Sequence, residues 1–346
     1  MENYYFRMLS KPAQTVYTAM LAGMTALAPE IRVLLLPKEE LYDVYYQVKL
    51  DNPLLFYVSG FSYRVMPGAE YASLLPQYEF KPDRIRSLRE QVNARLSKLL
   101  RPARNMTPVE QELYIHQFIT ENVHYDKLKK YYSHEIIGPL TNGVGVCEGI
   151  AKTVKLMCDG LGIECMVAIC HSAPEQGIPY RHAWNVLKIE GKHYHLDATF
   201  DLSLGRYGAP RYDYFNLDDA RIFHDHQPLV YPLPACSDGD GFYYRKNRLS
   251  LTKMEEVSKL FAQGLRKKKD TVVFHWRGGG LNREILTEIL RIAEENAQSR
   301  SLHAGLSCNY GQSVVMVRFL AQIDEAVVAE EADENQEGGA IEPPLS

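Results

Sequence analysis

Hydrophobic and polar positions alternate in a way that divides the chain into folded segments. In PAQTVYTAMLAGMTALAP, Val16, Met20, Met24 and Leu27 recur at helical spacing and predict an amphipathic helix. IRVLLLP predicts a short apolar strand, and NPLLFYVSGFSYRV, rich in aromatics, predicts a strand after a turn. From Pro82 onward Ile85, Leu88, Val92, Leu96 and Leu99 return to helical spacing, and RPARNM breaks it. Thr107-Pro108-Val109-Glu110 predicts a sharp helix start. Thr107 can cap, Pro108 suits the first turn and Glu110 can close a capping box. That helix should run to about Asn122, with 123–146 mostly irregular.

The pattern resumes at Cys147. Ile150, Val154, Met157, Cys158 and Leu161 form one helical stripe, while Glu148, Lys152, Lys155 and Asp159 fall on other faces. Gly160 and Gly162 should end this helix. A strand over 164–170, a loop over 171–181 and two strands over 182–189 and 192–199 follow. Pro228, Pro232 and Pro234 with SDGDG at 237–241 mark a boundary. Beyond it, Thr252 and Glu255 offer a capping box and TVVFHW a strand. NREILTEILRIAEENA offers a helix, and SLHAGLSC with QSVVMVRF a hairpin around Asn309-Tyr310-Gly311. WRGGG lacks the lysine and helix spacing of a phosphate loop and reads as a turn.

These elements predict an α+β protein. Its parts are a mixed α/β N-terminal domain over 1–104, a central domain over 105–236, a small α+β domain over 237–322 and an acidic, solvated tail over 323–346. The tail holds eight acids from Asp324 to Glu342 and no lysine or arginine. The net charge of −4 therefore becomes +4 for the remainder. That is too weakly basic to argue for nucleic acid, and RKKKD at 266–270 reads as a solvated helix end. No apolar run reaches membrane-spanning length, and MENYYFRMLSK lacks the form of a secretory signal. Six cysteines without a CxxC pair or zinc spacing favour a reducing, cytoplasmic setting with free thiols.

Cys147 stands where unpaired N–H groups and the positive end of a helix favour a thiolate, beside glycines that allow close approach. A buried cysteine at a helix start is common without any chemistry, so the thiol needs a base and the base an orienting group. Cys158, Cys165, Cys170, Cys236 and Cys308 read as packing. RHAWNVLKIEGKHYHLDATFD supplies the partners. A two-residue turn at Glu190-Gly191 makes His182 and Asp197 diagonal neighbours on one sheet face; a four-residue loop makes them direct partners; an odd-length loop separates them. His193, His195, His171, His224 and His226 read as structural, solvent-facing or boundary residues. A metal site from His193 and His195 lacks a third ligand at a known spacing.

Together, GVGVCEGIAKTVKLMCDGLGI and HAWNVLKIEGKHYHLDATFD resemble the transglutaminase-like superfamily, over roughly residues 107–226. NPLLFYVSG and YDYFNLDDARIFHDH resemble what accompanies its bacterial members. The resemblance implies a nucleophile helix packed on an antiparallel sheet, related to the papain-like arrangement. It implies Cys147 as nucleophile, His182 as base and Asp197 as orienting group. Asn142 or Tyr125 would assist the oxyanion, and Trp184 and Asn185 would frame the histidine. It implies peptide or protein amides as substrates, with hydrolysis favoured over amine transfer and crosslinking. A non-catalytic peptide-binding module is the contrasting reading. Animal crosslinkers of the family use calcium; no acidic loop of EF-hand spacing is present, so no metal or other cofactor is expected. The C-terminal domain is left to bind a partner or restrict access to the thiol.

Overall fold

A computed structural model describes residues 3–174, 181–206, 208–298 and 300–321. The predicted acidic tail and most of the 171–181 loop lie outside these residues. The fold is α+β. It divides into two compact units, Met1–Ala168 with Ala183–Gly191, and Ile169–His182 with Lys192–Ser346.

The first unit opens with α1 (Tyr4–Met8) and α2 (Lys11–Thr25), the latter capped by Ser10. Val16, Met20 and Met24 are buried as expected. Leu27 lies beyond the helix end in a left-handed conformation, φ 58°, which corrects its placement on the stripe. β1 (Ile31–Leu34), α3 (Lys38–Asp51), β2 (Val58–Val65) and β3 (Tyr71–Tyr78) follow. β3 lies between β1 and β2 and pairs antiparallel with both, so Leu74 faces Ile31 on one side and Tyr63 on the other. α4 (Pro82–Leu100) buries Ile85, Leu88 and Val92. α5 (Pro108–Asn122) starts with the Thr107/Glu110 capping box, a device that contributes about 1 kcal/mol.

The segment after α5 is less irregular than its sequence suggested. β4 (His124–Tyr125) and β5 (Val144–Gly145) pair in parallel. Asp126 ties the intervening loop by accepting the N–H groups of Leu128 and Lys130, and it also accepts the Ser133 hydroxyl. α6 (Cys147–Leu161) then runs to Gly162, which caps it in the left-handed region at φ 78°. Gly160 is inside the helix, which corrects its assignment as a terminator. A Cβ there would lie 2.3 Å from Leu100, so glycine lets α6 and α4 approach.

α6 also departs from the one-faced pattern predicted for it, because residues 149–158 are all buried. Two lysines on its polar faces are enclosed and satisfied internally. Lys152 Nζ meets Glu135 at 3.0 Å and Glu148 at 2.8 Å, and Lys155 Nζ meets Asp159 at 2.9 Å. Lys49 of α3 reaches the same Glu135 at 2.8 Å and donates to the carbonyls of Leu55 and Val58. Buried ammonium groups persist only with such full sets of acceptors. β6 (Cys165–Cys170) and β7 (His182–Ile189) follow. The Asn185 amide binds Ala151 O of α6 at 2.9 Å and Met166 O of β6 at 3.3 Å. Glu190 and Gly191, with φ of 50° and 83°, form the two-residue turn after β7 that the sequence allowed.

In the second unit β8 (Lys192–Leu196) is shorter than the predicted 192–199. It stops because Asp197 caps a helix, α7 (Ala198–Gly205), so Asp197 and Thr199 do not continue a strand. β9 (Phe215–Leu217) pairs antiparallel with β8, and α8 (Asp219–Ile222) is capped by Asp218. After α9 (Tyr243–Lys246) come β10 (Ser250–Leu251), α10 (Met254–Arg266), β11 (Thr271–Trp276), α11 (Arg283–Gln298), β12 (His303–Asn309) and β13 (Val314–Leu320). The strands order as β10-β11-β13-β12. Val257, Phe261 and Leu265 of α10 and Ile289 and Ile292 of α11 pack with Val272, Phe274, Val315 and Val317 of the sheet. Each such side chain contributes about 1.5–3 kcal/mol by leaving water. The α10 start is one residue later than predicted: Glu256, not Glu255, accepts the N–H groups of Thr252 and Lys253. Asn309 of β12 reaches Asp213 at 3.1 Å, where Arg211 makes a two-pronged ion pair at 2.9 and 2.6 Å.

Candidate active site

Local close approach sets the start of α6. Val146 is the N-cap, has an extended backbone and makes no side-chain cap. Its N–H donates to Ser133 O at 3.0 Å, which fixes the entry to the helix. A Cβ on Gly149 would lie 2.1 Å from Ser133 O, and one on Gly145 would lie 2.8 Å from Pro139. Only glycine permits that packing. Cys147 is therefore held at the first turn, 5% exposed, where helix N–H groups point outward and favour negative charge.

Tyr125 and Asn142 belong to the same unit as Cys147. Tyr125 is half-buried and is the register partner of Gly145, two residues before Cys147. Asn142 is exposed at the end of the turn Gly138–Asn142, and its amide lies 3.5 Å from Ile137 O. Trp184 is fully buried in β7. The Asn185 amide is committed to α6 and β6, including Cys165 Sγ at 3.4 Å. Asn185 therefore braces the helix that carries Cys147.

The other unit brings His182 and Asp197 together. His182 Nε2 lies 2.6 Å from Asp197 Oδ2. The remaining oxygen, Oδ1, accepts the N–H groups of Thr199 at 2.8 Å and Phe200 at 3.1 Å. Asp197 is thus the cap of α7 and the partner of His182 at once. Burial pushes its carboxyl upward, but the His182 charge and hydrogen bonds from His182 and His226 outweigh burial. They hold it well below the usual carboxylate range. Phe200 stacks on the His182 ring at 4.8 Å.

His226 is the residue that the sequence did not reveal. It reads there as a boundary histidine, yet its side chain is wholly enclosed and its Nε2 lies 2.9 Å from the same Asp197 Oδ2. Its Nδ1 meets Asp225 Oδ1. Position 226 follows the last strand of this region with no periodicity to betray its burial; FHDH is the only local signal. His195 is likewise structural, with Nε2 2.9 Å from Asp219 Oδ1. Burial lowers its pKa, against the pull of Asp219.

Among the described residues, two groups could offer donor atoms to a metal ion: His182, Asp197 and His226, and His195, Asp219 and Cys236. The earlier pairing of His193 with His195 is not one of them. In the first group both imidazoles already address Asp197 Oδ2. In the second, Asp219 takes His195 and the Cys236 N–H, and burial with Asp219 and Asp218 pushes the Cys236 thiol well up, against ligation. Hydrogen bonding accounts for both groups.

The fold is α+β, with a thiol at a helix start in one unit and a buried His–Asp pair in the other. Residues 97–198, which contain Cys147, His182 and Asp197, match the family model of the transglutaminase-like superfamily. Its members include cysteine peptidases and transglutaminases. A solved structure described as a TGase aligns at 12% identity and TM-score 0.28, over 49% of this chain and 50% of that one. Another, "a Putative Cysteine Protease from Cytophaga hutchinsonii", aligns at 16% identity and TM-score 0.25, over 40% and 61%. The chain thus spans about half the length of the first and less than two thirds of the second. No curated protein matches it. No helix among the described residues is long and apolar enough to cross a membrane.

Proposed function

We propose that the protein is a thiol-dependent acyl-transfer enzyme acting on peptide or protein amides, with hydrolysis as its outcome. Cys147 is the nucleophile, His182 the base and Asp197 its orienting group. The observation that carries this reading is the 2.6 Å contact between His182 Nε2 and Asp197 Oδ2, in a segment that matches the superfamily and also holds Cys147 at a helix start. A His182 ring that donates Nε2–H to Asp197 presents Nδ1 as its acceptor nitrogen, the one suited to take the thiol proton.

The reaction follows from those roles. The Cys147 sulfur attacks the amide carbonyl and a C–S bond forms. The C–N bond breaks as the His182 imidazolium gives its proton to the departing amine. Water, deprotonated by the now neutral His182, attacks the thioester; the C–S bond breaks, and the acid and the thiol are released. The backbone N–H of Cys147 is the first oxyanion donor in this scheme, and Tyr125, beside Gly145, is the second. The thiol must stay reduced, which suits a cytoplasmic setting.

A peptide-library digest, run beside a glutamine-containing protein with a fluorescent primary amine, tests the reading. New peptide termini or released ammonia, lost in Cys147→Ala, support hydrolysis. Amine incorporation lost in the same variant identifies a transferase. Neither signal, with cellular function intact in Cys147→Ala, identifies a binding module.

A further inference from the structure

Asp197 has two oxygens and four donors. Thr199 and Phe200 N–H groups take Oδ1, and His182 and His226 take Oδ2. That fills the acceptor capacity of a carboxylate. The second imidazole is not needed to satisfy the first, nor to cap α7. Its own position is fixed in turn: Nδ1 meets Asp225 Oδ1, and Asp225 Oδ2 accepts the Tyr214 hydroxyl at 2.7 Å. The chain His182–Asp197–His226–Asp225–Tyr214 is continuous, and the His226 side chain is 0% exposed.

We propose that His226 is a positioning residue that locks the Asp197 carboxylate, and through it the His182 ring, in one orientation. This rests on the reading of His182 and Asp197 given above. A carboxylate held by its cap alone can still rotate Oδ2 away from His182. A second donor on Oδ2, anchored from behind by Asp225, removes that freedom. Phe200 closes the arrangement: it stacks on His182 and meets His226 edge-on at 4.9 Å. Groups facing His226 include Asp197, Asp225, the Phe200 ring, the His182 ring at 5.1 Å and the Tyr214 ring at 5.6 Å, and the charge of His226 in turn helps to lower the pKa of His195.

The test uses the full chain, with two readouts: the alkylation rate of Cys147 by iodoacetamide, and the downfield proton resonance of the His182–Asp197 hydrogen bond in protein labelled with 15N-histidine. His226→Phe is expected to lower the rate about tenfold to a hundredfold, the scale seen when an orienting partner behind a working group is removed. It should also broaden or shift the resonance upfield. His226→Gln, which keeps a donor toward Asp197, should restore the resonance and most of the rate. An unchanged resonance in His226→Phe overturns the proposal. If His226→Phe does not fold, Asp225→Asn loosens His226 without emptying its space and carries the same expectation; an unchanged resonance there overturns it equally. His182→Ala separates the two claims. If it leaves the Cys147 rate unchanged, the catalytic reading fails, while the resonance still decides whether His226 positions the pair.

Discussion

Asp197 binds His182 with one carboxylate oxygen, at 2.6 Å, and caps α7 with the other. Stability and reactivity therefore meet in one side chain, and substitutions should separate them. Asp197→Ala loses the cap, about 1 kcal/mol, and leaves buried imidazole N–H groups without an acceptor, about 1–3 kcal/mol more. Asp197→Asn keeps an acceptor for the cap, so urea denaturation should show the smaller loss. Both should slow Cys147 alkylation by a similar large factor. An Asn variant as reactive as the wild type would show that the carboxylate charge does not matter.

Gly149 is the narrowest point beneath Cys147. A methyl group at 2.1 Å from Ser133 O has no room, and the obstacle is backbone. Gly149→Ala should cost about 1–3 kcal/mol by overpacking and displace the start of α6. Thermal unfolding and Cys147 labelling should fall together; a variant with wild-type stability would mean that the loop moves aside freely.

Glu135 serves two buried lysines, Lys49 and Lys152. Burial lowers the Lys49 pKa, with Glu135 opposing; for Lys152 burial acts the same way but Glu135 and Glu148 prevail and raise it. Glu135→Gln removes the charge on which both ammonium groups depend. Breaking a buried pair costs about 3–5 kcal/mol, and chemical denaturation should show a loss of that order. Glu110→Gln, on the exposed capping box, should cost less than about 1 kcal/mol.

His275 gives the second unit a pH dependence. Burial first, and then Arg221, Arg245 and Arg277, push its pKa down to about 3 from 6.5. Between those values the unfolded chain binds a proton that the folded one refuses. Stability should therefore fall as pH drops from 6.5 toward 3, by up to about 1.4 kcal/mol per pH unit from this group. His275→Gln, which can still meet the Ser250 hydroxyl, should flatten the slope of unfolding free energy against pH over that range. An unaltered slope would assign the acid sensitivity elsewhere.

The helix at Cys147 and the turn at Glu190-Gly191 were legible because both rest on local rules: a 3.6-residue stripe in one case, and a two-residue loop fixed by φ > 0 in the other. The turn rule placed His182 and Asp197 as strand neighbours on one sheet face, whereas Asp197 meets His182 at 2.6 Å from a helix cap just past the end of β8. Local rules did not reveal that Asp197 ends β8, since a cap and a strand residue look alike when the next helix is only Ala198–Gly205. α3 has no clear sequence signal because tyrosines interrupt its apolar stripe of Leu41, Val44 and Val48. The buried lysines and His226 were invisible for a different reason. Their partners, Glu135, Asp197 and Asp225, are supplied by tertiary packing, and a polar residue's burial leaves no period in the sequence.

The central claim is that His182 activates Cys147, and the most direct measurement is the iodoacetamide rate at each of the six cysteines, read by mass spectrometry. Cys308 is the more exposed thiol and serves as the control for access. The account predicts that Cys147 reacts at least tenfold faster than Cys308, and that His182→Ala removes the advantage. A Cys147 rate no greater than that of Cys308, or one indifferent to His182, would contradict it.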